Sequence, residues 1–159
     1  MKKVEPRTVP DRDAKYMGLA WMIASFSKDP STQVGAVIVN PEENRQLGTG
    51  YNGPPSIIND TDISWARPDK YNWIMHAEEN AIDHSWDSLK GSHIYVTALP
   101  CKKCMIKIAS QKIARVVYCQ FNKTKNSMVG EDMDIIKDIA KKGKIELDLF
   151  DGNLAWMQD

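Results

Sequence analysis

The order of apolar segments along these 159 residues predicts an α/β fold, a three-layer α-β-α sandwich around one mixed sheet of about five strands. Three observations carry that expectation. A segment with helical spacing precedes two strand-like runs joined by a short turn, the mark of an antiparallel hairpin. Three further strand-like runs follow, separated by helix-like segments, which favours parallel crossovers. The run Val34-Gly35-Ala36-Val37-Ile38-Val39 is apolar without alternation, as expected of a strand covered on both faces. No repeat or low-complexity tract interrupts the chain, so residues 1–159 are read as one domain.

Between Asp11 and Phe26, the residues Tyr16, Leu19, Ala20, Ile23 and Phe26 recur at helical spacing, and Asp11 after Pro10 suits an N-cap. A polar loop, Ser27 to Thr32, leads into the apolar strand. Asn40 to Asn44 supplies a turn and Gln46 to Tyr51 the hairpin partner, ending at Asn52-Gly53-Pro54-Pro55. Ser56 to Asn72 has no period, and a long irregular segment in a small domain is usually a functional loop. Trp65, Tyr71 and Trp73 cluster there and are assigned to a subunit interface, where aromatic residues are enriched. A helix over Ala77 to Ser88, a strand over His93 to Ala98, a helix over Cys104 to Gln111 and a strand over Ala114 to Cys119 follow. Asp132 to Lys142 reads as a helix with Gly143 as its C-cap, and Lys144 to Phe150 as a strand with Ile145, Leu147 and Leu149 on one face. The tail from Asp151 to Asp159 carries no readable signal.

Composition narrows the function classes. Lys and Arg number 21 and Asp and Glu 21, so the chain lacks the basic surplus of a protein held to nucleic acid phosphates. Apolar runs fall short of the roughly 18–20 residues that cross a bilayer, and the basic start Met1-Lys2-Lys3 has no apolar stretch behind it. A cytoplasmic protein is expected. The three cysteines are too few for a disulfide scaffold, and Cys101 and Cys104 form a Cys-x-x-Cys pair, which points to metal or redox chemistry.

Two motifs concentrate the chemistry: His76-Ala77-Glu78 and Pro100-Cys101-Lys102-Lys103-Cys104. Thiolate and imidazole are the ligands zinc prefers, and three protein ligands with one open position mark a catalytic site. His76, Cys101 and Cys104 supply three, each near the start of a predicted helix whose dipole favours the thiolate. Glu78 lies in the same first turn as His76. It is placed to move a proton from a water that zinc brings towards a pKa of about 7. A closed structural site would need Cys119, His84 or His93 as a fourth ligand; Cys119 ends an apolar strand and suits a buried thiol. A redox pair would leave His76 and Glu78 without a purpose.

With these motifs the sequence resembles the zinc-dependent cytidine deaminase superfamily, and within it the deoxycytidylate deaminase branch. The likeness also rests on the stretch Ser27 to Ala36, on Gly50-Tyr51-Asn52-Gly53, and on Lys70-Tyr71 leading into His76. It implies the cytidine deaminase-like fold, one zinc per chain on His76, Cys101 and Cys104, and Glu78 as general acid/base in hydrolysis of dCMP to dUMP and ammonia. It further implies that Asn52 contacts the sugar, that the Ala77 backbone meets the pyrimidine edge, and that Ser27 and Lys28 wall the phosphate. Family members are commonly hexamers controlled by dCTP and dTTP, so a homo-oligomer is expected, with Mg2+ accompanying a triphosphate effector. Phe26 stands where relatives tend to carry Arg, and Pro54-Pro55-Ser56 replaces their Pro followed by Gly-Cys. The competing readings are a deaminase of dCTP, of polynucleotide cytosine or of tRNA adenosine, and a catalytically silent zinc-stabilised sensing module. The balanced charge opposes the polymer substrates, and the retained Glu78 opposes the silent module.

Overall fold

The computed structural model describes residues 2–119 and 130–157. The first helix begins because Asp11 caps it: the carboxylate accepts the Ala14 N–H at 2.8 Å. Helix α1 (Arg12–Ala24) buries Ala14, Tyr16, Met17, Ala20 and Ala24. The stripe is therefore rotated from the sequence expectation. Leu19 and Ile23 are half-buried, and Phe26, beyond the helix end, is 61 % exposed. The small side chains at 20 and 24 turn inward because Gly35 lets strand β1 approach there; a Cβ on Gly35 would overlap the Ala20 carbonyl oxygen.

Strands β1 (Gly35–Asn40) and β2 (Arg45–Tyr51) form the antiparallel hairpin, with a register irregularity between Ile38 and Val39. Strands β3 (His93–Val96), β4 (Arg115–Tyr118) and β5 (Glu146–Leu149) complete one sheet in the order β2-β1-β3-β4-β5. The β1–β3 pair is antiparallel, and β3–β4 and β4–β5 are parallel. Helices α2 (Ala77–Asp83), α3 (Lys102–Ser110) and α4 (Gly130–Lys142) supply the crossovers.

Alternation along β1 divides the core. Ala36 and Ile38 join Ile94, Val96 and Val116 under α2, α3 and α4, whereas Val37 and Val39 join Tyr95 and Val117 under α1. Two covered faces make the three layers. On the α1 face, Arg115 forks onto both carboxylate oxygens of Asp13 at 2.9 Å and reaches Asp148 at 2.7 Å, while the Tyr95 hydroxyl donates to Asp13 at 2.6 Å. Those contacts tie α1 to the ends of three strands.

Several details differ from expectation: α3 begins at Lys102 rather than Cys104, because Cys101 takes the N-cap position. Helix α2 stops at Asp83 rather than Ser88, because His84 to Ser88 offers no apolar face. The Ser85 hydroxyl turns back to the Ala81 carbonyl at 2.7 Å, and Trp86 is 97 % exposed. Ile145, just before β5, and Leu147 within it pack on the helical face, but Leu149 is 46 % exposed at the strand end. Gly143 does not adopt the left-handed conformation; Lys144 does, at φ 54°. Its amide bonds to the Lys141 carbonyl and that of Ile145 to Ala140, closing the end of α4. The C-terminal 3₁₀ turn Ala155–Met157 lies on α1, with Trp156 and Met157 filling the space over Gly18.

Candidate active site

Two helix starts meet on one side of the sheet. Strand β2 runs so close to α2 that a Cβ on Gly50 would overlap the Ala77 carbonyl oxygen and the Ala81 amide. His76 is the N-cap of α2, and Glu79 Oε2 accepts the His76 N–H at 2.9 Å. Asn80 Nδ2 donates to the Tyr51 carbonyl at 2.8 Å, anchoring the helix to the end of β2. Cys101 is the N-cap of α3, and Cys104 is buried in its first turn.

These caps bring the three predicted ligands together. His76 Nδ1 lies 3.5 Å from Cys101 Sγ and 3.4 Å from Cys104 Sγ, and all three donor atoms fall within 4.8 Å of one another. Ligands of a single tetrahedral zinc, bound at ordinary Zn–S and Zn–N lengths, stand roughly 3.6 Å apart. Two thiols and an imidazole at this spacing fit that ion in both chemistry and size. Among the described residues His84, His93 and Cys119 do not join the group, so three protein ligands leave one position open. Cys119 is half-buried against the α1 core, and burial pushes its thiol up.

The two thiols and the imidazole shift one another. A hydrogen bond from Cys104 holds the Cys101 thiol down at about 3 despite burial, with His76 adding to the effect. Cys104 is correspondingly pushed up, and His76 is raised to about 9, chiefly by its hydrogen bond to Cys101. Glu78, 4 % exposed, is raised by burial, against backbone hydrogen bonding and the nearby His76 charge.

The predicted substrate residues divide. Ala77 is fully buried at the first position of α2. Asn52 is 7 % exposed, and its side chain is engaged within the fold: Oδ1 accepts the Val34 N–H and Nδ2 donates to the Thr32 carbonyl, both at 2.8 Å. Ser27 Oγ donates to the Asn52 carbonyl at 2.7 Å. Lys28 extends outward and pairs with Asp60 of the irregular segment. A cavity of about 580 Å³ is lined among others by Lys28, Asn52, Asp60, Trp65 and Met75; none of His76, Glu78, Cys101 or Cys104 lines it. Trp65 is half-buried with its indole N–H on the Asp60 carbonyl at 3.0 Å, whereas Tyr71 and Trp73 are 58 % and 43 % exposed. Sequence reasoning gave no role to Asp29 and Lys70, which form a buried ion pair at 2.7 Å. Both lie in segments that carry the resemblance, but nothing in the sequence marks two residues so far apart as partners.

Residues 10–120 match the family described as the cytidine and deoxycytidylate deaminase zinc-binding region. The chain belongs to this family. The matched region is described as zinc-binding and covers every donor of the cluster, which supports zinc as the cofactor. The family member described as an uncharacterized deaminase in the luxG 3′ region of Aliivibrio fischeri is 36 % identical over 133 residues, covering 84 % of this chain and 89 % of that one. The human protein named deoxycytidylate deaminase is 39 % identical over 110 residues, 65 % of this chain; the shared segment spans 61 % of the human protein's length. Among solved structures, the dCMP deaminase from cyanophage S-TIM5 in complex with dCMP and dUMP has the same fold, with a TM-score of 0.68 at 24 % identity. The match covers 91 % of this chain and all of that one. The zinc-dependent deaminase family thus accounts for the fold and the cluster together. Among the described residues no helix is long and apolar enough to cross a membrane.

Proposed function

We propose that the chain hydrolyses the exocyclic amine of a deoxycytidine nucleotide, converting dCMP and water to dUMP and ammonia. The observation that carries this is the convergence of His76, Cys101 and Cys104 beside the buried carboxyl of Glu78. Relatives named deoxycytidylate deaminase at 39 % identity support the substrate class.

His76 Nδ1, Cys101 Sγ and Cys104 Sγ would hold zinc, which when bound supplies Lewis acidity and brings the ionisation of water within reach of neutral pH. Glu78 takes the proton of the attacking water and passes it to pyrimidine N3 as the C4–O bond forms. It then delivers the second proton to the C4 amine, the C4–N bond breaks, and ammonia leaves. Burial keeps the carboxyl out of bulk water, so the proton goes to substrate. The Ala77 backbone is assigned to the pyrimidine edge. Ser27 and Lys28 are assigned to the phosphate side, where Lys28 must exchange Asp60 for phosphate. Asn52 is assigned to the sugar, through the hydrogen-bonding capacity its two bonds to the 32–34 backbone leave over.

By family resemblance the protein is a cytoplasmic homo-oligomer, a hexamer, responsive to dCTP and dTTP with Mg2+ accompanying the triphosphate. Exposed Tyr71 and Trp73 suit the subunit contact. Incubation with dCMP, dCTP, deoxycytidine and single-stranded DNA, read by uracil and ammonia release with and without dCTP or dTTP as effector, tests the proposal. Turnover of dCMP is expected. Deamination of the polymer with no free-nucleotide turnover would overturn it.

A further inference from the structure

Two opposite charges are withdrawn from water beside the 27–33 loop, and the chemistry above uses neither. Asp29 and Lys70 are each 2 % exposed. Lys70 Nζ donates to Asp29 Oδ2 at 2.7 Å, to Oδ1 at 3.0 Å and to the Ser31 hydroxyl at 2.7 Å. Asp29 Oδ1 also accepts the backbone N–H groups of Ser31 at 2.9 Å and Thr32 at 3.2 Å, so the carboxylate shapes the loop from inside. A buried ion pair contributes little net stability over well-packed apolar side chains of the same volume. Its distinctive product is fixed geometry.

The contacts form a closed ring. Lys70 sits in the 3₁₀ turn Asp69–Asn72 and grips Asp29. The loop runs from Asp29 to Thr32 and Val34, which the Asn52 side chain holds at 2.8 Å each. Gly53 then exchanges paired backbone hydrogen bonds with Met75, at 2.9 and 3.1 Å. The covalent chain from Lys70 to Met75 closes the circuit, and the next residue is His76. The Asp29–Lys70 pair is the ionic link in that ring.

We propose that Lys70 is a positioning residue whose pairing with Asp29 fixes the 27–33 loop relative to the segment ending in His76, and so sets the distance between the phosphate end and the reacting base of the nucleotide. This rests on the nucleotide substrate proposed above, since only a phosphorylated substrate reports on that loop. Neutralising one partner leaves a lone buried charge that pulls the loop open. Removing both charges relieves that cost but leaves the ring without its ionic link.

The test compares dCMP with deoxycytidine for Lys70→Met, Ser31→Ala and the double variant Asp29→Asn/Lys70→Met. Lys70→Met is expected to raise KM for dCMP about tenfold or more, with kcat and the deoxycytidine constants changed less than about threefold. Ser31→Ala, which removes one hydroxyl, shifts KM the same way by less. The double variant regains the melting temperature of the wild type while KM for dCMP stays high. Parallel loss on both substrates that follows the folded fraction, or recovery of KM in the double variant, would overturn the proposal. If Lys70→Met does not fold, the other two variants decide. A wild type that deaminates no cytosine nucleotide instead brings down the substrate reading; an active wild type with substrate-blind variants brings down only the role of Lys70.

Discussion

At the scale of single residues, position in the first turn of a helix decides what a side chain can do here. His76 and Glu78 are two apart at the start of α2, so one faces the cysteines while the other is buried beside them. Glu78→Gln keeps the shape and loses the proton carrier. We expect kcat to fall by about 10²–10⁴-fold with zinc content unchanged, measured by elemental analysis and steady-state turnover. Loss of zinc together with activity would make Glu78 structural. A second residue prediction concerns acid stability. The Arg115 hydrogen bonds hold the Asp13 carboxyl below its ordinary value, against burial. A carboxylate whose value is lower folded than unfolded stabilises the fold fully above the unfolded value of about 3.9. That contribution is lost as pH falls through the folded value. Asp13→Asn therefore lowers the melting temperature at pH 7, and the gap to wild type closes as the pH is brought below about 4, read by thermal melts across pH. A gap independent of pH would remove the ion pair from the explanation.

At the scale of elements, close packing and end-capping carry the predictions. Lys144 accepts a left-handed backbone at the end of α4, a conformation that costs an L-residue roughly 1–2 kcal/mol. Lys144→Gly should stabilise the protein by about 0.5–1 kcal/mol in denaturant melts, since only part of that strain is offset by glycine's added unfolded-state freedom. Gly50→Ala does the reverse. It forces β2 from α2, costs about 1–3 kcal/mol or more, and should lower zinc occupancy because His76 moves with its helix. The elements themselves were largely legible. Unbroken apolar character in β1 revealed a central strand, and Asp11 announced α1. Legibility failed where tertiary contact outranks pattern: Gly35 and the Ala20–Ala24 face rotate α1 inward, Ser85 ends α2 early, and Lys144 takes the turn that Gly143 suggested. In the site, the convergence of His76, Cys101 and Cys104 could be read because donor type and spacing are written locally. The tie of Asn52 to the 32–34 backbone and the Asp29–Lys70 pair could not, because each joins segments far apart in sequence.

At the scale of the whole molecule, a zinc held by His76, Cys101 and Cys104 would join the starts of α2 and α3. Chelation should abolish turnover and lower the melting temperature together, with zinc restoring both. Full activity in the stripped protein would refute the catalytic assignment. The equal numbers of basic and acidic residues, 21 each, predict weak affinity for single-stranded DNA in filter binding at moderate salt. His76 and Cys104 are 28 residues apart in sequence, and the strand between them, β3, pairs with β1, which precedes both. Every donor residue thus precedes β4, α4 and β5 in the order of synthesis. Closing a loop of that length costs about 3 kcal/mol of chain entropy, well below the free energy a structural zinc site returns. The proposed ligand set is therefore complete in the first two-thirds of the chain, on the β2-β1-β3 side of the sheet, and β4, α4 and β5 add to an arrangement whose donors precede them.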